Sequence, residues 1–162
     1  MPELPEVQTT VDGLQLIIKK HIVSIKINTI KLRYLVPKNI NKAVNKRKIL
    51  KIYRVAKYIM IDLSNNITLF FHLGMSGRIK LLKIINYRKN KHDHILISLS
   101  NKSILVFNDP RKFGFIDIAY TPELKKKKFF LKLGLDPFEN SLNKNYLLTK
   151  FKNSKSSIKQ LL

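Results

Sequence analysis

The chain opens Met1-Pro2-Glu3-Leu4-Pro5-Glu6, residue types whose spacing allows covalent chemistry. Pro2 is small enough for the initiator methionine to be removed, which would leave a free secondary amine. An α-amino group titrates near ~7.7–8.0 against ~10.4 for lysine, so roughly a tenth of it is unprotonated at neutral pH. Attack of such an amine on a sugar C1′ would give an iminium, by the logic of a lysine Schiff base. Glu3 stands beside it as an acid, and Glu3 and Glu6 are two of only four glutamates in the chain. The same residues also suit a plain helix N-terminus, where proline fits the first turn and glutamate meets the positive end of the dipole. Taken alone, they leave both readings open.

Three of the five glycines fall in two other segments, His72-Leu73-Gly74-Met75-Ser76-Gly77-Arg78 and Asp109-Pro110-Arg111-Lys112-Phe113-Gly114. Each segment joins two expected strands, so each is a loop that sets a bulky apolar residue beside cations. Met75 stands near His72 and Arg78, and Phe113 near Arg111 and Lys112. An apolar wedge flanked by cations is what a protein needs to unstack a duplex and hold it bent. Met75 and Phe113 could equally tuck into a core. Arginine is scarce, six against 26 lysines, and Arg111 offers a planar fork able to pair with a base edge.

The elements that position these residues follow from periodicity. Val7, Val11, Leu14 and Ile18 repeat at helical spacing, which predicts an amphipathic helix over 5–20 with Pro2 and Glu3 at its N-terminus. Val23, Ile25 and Ile27 alternate with polar residues, and strand-like runs recur around 48–55, 57–63, 67–73, 77–83, 93–99, 103–108 and 114–120. Asn65-Asn66 and Asn101-Lys102 suit hairpin turns. The expected class is α+β, mainly β: an antiparallel two-sheet β-sandwich with a leading N-terminal helix, followed by the start of a helical domain. Composition changes after Ala119, where Pro122, a lysine run over 125–128, Gly134 and Pro137 interrupt the pattern. A helix is expected over 144–152, with Ser156-Ser157 capping another whose apolar face, Ile158, Leu161 and Leu162, stops at once. That abrupt stop suggests a chain cut short. The expected domains are 1–136 and 137–162.

Thirty-two Lys and Arg against ten Asp and Glu leave a formal charge of +22, so a polyanion is the expected partner. The abundance of Lys, Asn and Ile fits A+T-rich coding, which inflates the charge without creating its sign. With no cysteine in 162 residues, disulfides and cysteine-ligated zinc are excluded within this chain. His92 and His94 flank Asp93, but two histidines at that spacing, without a third ligand, make a poor metal site, and no metal is expected. No secretory pattern and no apolar run near the ~20 residues of a membrane span occur, so a soluble, intracellular protein is expected.

The motifs together resemble the formamidopyrimidine-DNA glycosylases, bacterial base-excision enzymes that remove oxidised purines such as 8-oxoguanine and ring-opened guanine. The resemblance runs from Pro2-Glu3-Leu4-Pro5-Glu6-Val7 through Ala56-Lys57-Tyr58, His72 to Gly77, Lys91-His92-Asp93-His94 and Asp109-Pro110-Arg111 to Phe113-Gly114, with a tail at Ile158-Lys159. Leu4 favours this family over the related endonuclease VIII, which has glycine there. The resemblance implies that Pro2 is the nucleophile at C1′, that Glu3 is the acid assisting ring opening and base loss, and that Glu6 belongs to the same pocket. Lys57 matches a proton donor in β-elimination. Met75, Arg111 and Phe113 match the trio that fills the gap left by a flipped nucleotide. His92, Arg111 and Lys155 match DNA-contacting positions, while His72 and Lys112 would reach phosphates. Outside the motif, Lys57, Lys112 and Lys155 would read as solvated lysines.

Gln8 and Lys112 depart from the pattern, which has Glu and Arg there. The family also continues through a helix–two-turns–helix module and a four-cysteine finger holding one structural zinc, neither of which these residues contain. The resemblance therefore implies a bifunctional glycosylase and AP lyase of base-excision DNA repair. As this fragment it is expected to be weak, acting at most on abasic DNA, with no cofactor in the chain itself. Damaged double-stranded DNA is the expected partner, and the protein is expected to be monomeric, cytoplasmic and nucleoid-associated. Two rivals remain: a non-catalytic basic DNA-binding remnant, and an oxidised-pyrimidine glycosylase of the endonuclease VIII kind.

Overall fold

The computed structural model describes residues 2–131, 133–136, 142–152 and 154–157. Met1, Pro137 and the Ile158, Lys159, Leu161 and Leu162 tail lie outside the described residues. The chain divides into two compact units, Met1–Lys125 and Lys126–Leu162.

The first unit is the antiparallel two-sheet sandwich expected from the alternation, with its helix in front. Helix α1 spans Leu4–Leu14, and strands β1 (Ile22–Ile27), β2 (Ile49–Val55), β3 (Tyr58–Leu63), β4 (Ile67–His72), β5 (Arg78–Lys83), β6 (Asp93–Leu99), β7 (Ser103–Asn108) and β8 (Phe115–Tyr120) follow, with a short helix α2 (Ile40–Val44) after β1. One sheet has the order β1-β6-β7-β5 and the other β2-β3-β4-β8. Ile95, Ile97, Leu99, Leu105 and Phe107 of the first face Ile59, Ile61, Leu63, Leu69, Phe71 and Ile116 of the second in one core. Period-two alternation of these side chains is what fixes strand register against that core. Asn65 and Asn66 both take left-handed conformations (φ 65° and 55°), the twist that a two-residue hairpin turn requires.

Helix α1 buries Val7, Val11 and Leu14, as the spacing predicts, but ends six residues before the expected 20. A 3-10 turn over Gln15–Ile17 follows. Because a 3-10 turn eclipses i and i+3, the buried position after Leu14 becomes Ile17, 1% exposed, rather than Ile18. Lys19 then turns the chain with φ 68°. Gln15 Nε2 donates to the Ile52 carbonyl (3.1 Å), fastening the end of α1 to β2. In the second unit α3 runs over Lys144–Phe151, capped by Asn143 Oδ1, which accepts from Tyr146 N–H at 3.0 Å.

Candidate active site

Glu3 is the extended N-cap of α1, and its backbone N–H donates to Glu6 Oε2 at 3.0 Å, the reciprocal half of a capping box. This bond ties the first two acids of the chain to one turn. Lys57 arrives from the tight turn between β2 and β3, where Ala56 takes φ 49°, and its Nζ lies 2.6 Å from Glu3 Oε2. The two side chains are 34% and 56% exposed, so the pair adds little stability and its significance is positional. It sets an acid and a cation side by side next to Pro2, which with Glu6, Thr10, Met75, Ser76 and Arg78 lines an open cleft of about 510 Å³.

The placement of Lys57 is built from behind. Arg54 Nη1 donates to the Ala56 carbonyl (3.0 Å) and Arg54 Nε to Gln8 Oε1 (3.2 Å), while Gln8 Nε2 donates to Asp12 Oδ1 (2.8 Å). Gln8 thus links α1 to the turn that carries Lys57. Nothing in the local sequence marks this role, because Gln8 and Arg54 are separated by the whole of β1 and α2.

Met75 and Phe113, 44% and 43% exposed, are not core residues. With Leu32, Arg33, His72, Gly74, Arg111 and Lys112 they line a second cleft of about 590 Å³. Met75 therefore borders both clefts. The Arg111 guanidinium lies over the Phe113 ring, 4.8 Å from its centroid, and Lys112 turns the loop with φ 56°. The pairing is a cation–π contact that presents a planar fork and an apolar face together.

His72 is held in the row Tyr58, His72, Phe115 across β3, β4 and β8. Its ring stacks on Phe115 (5.6 Å, 13°), and its Nδ1 accepts from Gly74 N–H at 3.0 Å. Burial, then the charges of Arg33 and Lys57, push its pKa below the ordinary value of 6.5. A neutral ring whose Nδ1 is the acceptor carries its proton on Nε2, a donor suited to a phosphate oxygen. Arg33 was not singled out by the sequence. It sits in a stretch without periodicity; the Gly114 carbonyl accepts its N–H at 3.2 Å and its guanidinium lies over the Tyr34 ring, 5.7 Å from the centroid. Its one sequence signal was being an arginine in a lysine-rich chain.

His92 is half-buried, and its carbonyl accepts Asp109 N–H at 3.0 Å, which puts it beside the Arg111 loop. Lys155 is exposed in the second unit. Both ring nitrogens of His94 are engaged, by Thr29 Oγ1 and the Asp109 carbonyl, each at 2.8 Å. No group of three metal-capable side chains occurs among the described residues. Nor is any helix among the described residues long and apolar enough to cross a membrane.

A family model for the formamidopyrimidine-DNA glycosylase N-terminal domain matches residues 1–116. The formamidopyrimidine-DNA glycosylase of Rickettsia bellii (strain OSU 85-389) is 42% identical over 167 residues, covering 100% of this chain and 59% of its own length. That of Rickettsia canadensis (strain McKiel) is 37% identical, with the same coverage. The chain thus spans about three-fifths of these relatives. Among solved structures, the Lactococcus lactis formamidopyrimidine-DNA glycosylase bound non-covalently to DNA containing an AP site superposes with a TM-score of 0.84 at 26% identity, over 98% of this chain and 61% of that one. A complex of the Lactococcus lactis protein with DNA containing FAPY-dG superposes with a TM-score of 0.72 at 28% identity, over 80% of this chain and 48% of that one.

Proposed function

Because the chain belongs to the formamidopyrimidine-DNA glycosylase N-terminal domain family, we propose that it carries the covalent half of a bifunctional DNA glycosylase and AP lyase of base-excision repair. The observation that carries this reading is the Glu3–Lys57 contact next to Pro2, which lines a cleft with Glu6 and Met75. With Met1 removed, the Pro2 nitrogen attacks C1′ of a deoxyribose. The N–C1′ bond forms as the glycosidic bond breaks with its electron pair leaving on the base, which takes up a proton as the Pro2 nitrogen gives up its own. The C1′–O4′ bond then breaks to give the iminium, and Glu3 supplies the proton to the sugar oxygen. The iminium then acidifies C2′; its proton passes to solvent, the C3′–O bond breaks with its electron pair leaving on the 3′ phosphate, and Lys57 serves as the proton donor.

Met75, Arg111 and Phe113 fill the vacated stack, at a cost of a few kcal/mol for unstacking that contacts to the bent duplex offset. Arg33, His72, His92 and Lys112 hold phosphates, and Lys155 belongs to the start of a second DNA-binding module over 137–162. Damaged duplex DNA bearing oxidised purines is the substrate class. The protein acts as a monomer in the cytoplasm at the nucleoid, and the covalent steps use only its amino terminus and side chains.

A nicking assay tests this. Met1-free protein is incubated with duplexes carrying an abasic site, 8-oxoguanine opposite cytosine, or thymine glycol. The abasic duplex is cut fastest, since no base must be extruded, and 8-oxoguanine is preferred to thymine glycol. A folded sample that binds DNA with a steep salt dependence yet cuts none of the three overturns the reading in favour of a binding remnant. Preference for thymine glycol moves it to the endonuclease VIII kind.

A further inference from the structure

Met75 stands on one loop and Arg111 with Phe113 on another, 36 and more residues apart in sequence, and they can insert into a duplex together only if the two loops move as one. The joint between them is polar and lies behind the exposed side chains. Asp109 is fully buried, at 0% exposure. Its Oδ1 accepts the Ser76 hydroxyl at 2.5 Å and Arg111 N–H at 3.3 Å, and its Oδ2 accepts Gly114 N–H at 2.7 Å. Ser76 Oγ in turn accepts Arg111 N–H at 3.3 Å. The Asp109 carbonyl takes His94 Nε2 at 2.8 Å and Lys112 N–H at 3.3 Å.

One carboxylate thus closes its own loop at both ends and reaches the residue directly after Met75. The two backbones also touch: a Cβ on Gly114 would meet the His72 carbonyl oxygen at 2.7 Å. Among the described residues no buried side-chain polar atom lacks a partner, and the bonds of this cluster all run between the two loops and their own backbone.

We propose that Ser76 and Asp109 form a latch that makes the Met75 loop and the Arg111–Phe113 loop a single wedge, so that they are positioning residues for base extrusion rather than for the covalent step. This rests on the function proposed above. The latch acts through Met75, Arg111 and Phe113; Ser76 also lines the cleft that holds Pro2, but the hydrogen bonds of the latch reach neither Pro2 nor Lys57. Its loss separates the two demands of the reaction. Filling the stack of a duplex needs both loops at once, whereas attack on an abasic sugar in a single strand needs neither.

The test compares Ser76→Ala, Ser76→Thr and Asp109→Asn with the unaltered chain. Two readouts are taken: borohydride-trapped adduct on an abasic site in duplex and in single-stranded DNA, and fluorescence of 2-aminopurine placed opposite a tetrahydrofuran abasic analogue, which rises when the orphaned base is unstacked. Ser76→Ala lowers the duplex-to-single-strand ratio of adduct about five- to tenfold, the worth of one net hydrogen bond, and suppresses the fluorescence rise. Ser76→Thr, which keeps the hydroxyl, restores both, and Asp109→Asn matches or exceeds Ser76→Ala.

An unchanged ratio in Ser76→Ala overturns the latch. So does an equal loss on both substrates, which marks a merely structural role, and Ser76→Ala settles the matter even where Asp109→Asn does not fold. If the unaltered chain traps no adduct on either substrate, it is the functional reading that has failed. The fluorescence arm then still decides on the latch.

Discussion

Substituting Gly74 by alanine removes no contact, yet the structure predicts that it is among the most damaging small changes available. Gly74 has φ 66°, a left-handed conformation that costs a residue with a Cβ about 1–2 kcal/mol. The new methyl would lie 2.5 Å from the Phe113 carbonyl oxygen and closer still to the carbonyl carbon and Gly114 N. These are backbone atoms with no rotamer to yield, and ordinary contact is ~3.5 Å, so the loops must part by about 1 Å. That movement strains the Gly74 N–H bond to His72 Nδ1, worth about 1 kcal/mol. The sum is about 2–3 kcal/mol, or roughly a 4–12 °C fall in Tm for a chain of this size.

Gly13→Ala is the internal control, because a Cβ there meets nothing within 4 Å and the site is in α1. It should gain about 0.5–1 kcal/mol from helix propensity. Thermal and urea unfolding of both variants read these shifts directly. A Gly74→Ala protein as stable as the unaltered chain, or a Gly13→Ala protein less stable than it, refutes the reasoning on loop contact.

Other consequences follow from the same geometry. Arg54→Ala cuts the tie to the Ala56 carbonyl and to Gln8, so strand scission should slow about tenfold while the DNA dissociation constant and its salt slope stay put, as measured by nicking kinetics and fluorescence anisotropy. His72 should titrate below 6.5 by NMR, and Arg33→Ala should raise its midpoint. Since its folded pKa lies below the unfolded one, the stability tied to neutral His72 is present above about pH 6.5 and is lost as pH falls through the lower folded value. Tyr53 is pushed up to about 12 by burial and by Asp62, so a spectrophotometric titration should show Asp62→Asn lowering the midpoint of that one tyrosine.

Elements whose side chains obey a period or form a short apolar run were legible in the sequence. Strand β5 alternates, β4 and β7 read as short apolar runs buried on both faces, and Val7, Val11 and Leu14 mark a helical face. Helix α2 escaped because it is five residues long and shows only Ile40 and Val44 to the core, too short a run to distinguish from loop. The end of α1 was misplaced because the tightening of a 3-10 turn moves the buried position without altering composition. Pro2, Glu3, Lys57, Met75, Arg111 and Phe113 could be named as candidates from the sequence because their motifs are local. Their supports were not: Ser76 and Asp109 are 33 residues apart and Gln8 and Arg54 are 46. Small polar residues acquire such roles only through a fold that brings them together.

The central claim is that the nitrogen of Pro2 forms the covalent bond. Met1-free protein is mixed with abasic-site DNA, reduced with borohydride and digested, and the peptide carrying the sugar is sequenced by mass spectrometry. The expected result is an adduct on Pro2 alone, absent from protein that retains Met1. An adduct mapped to Lys57 or to any other lysine, or none from a folded, Met1-free sample, would contradict it.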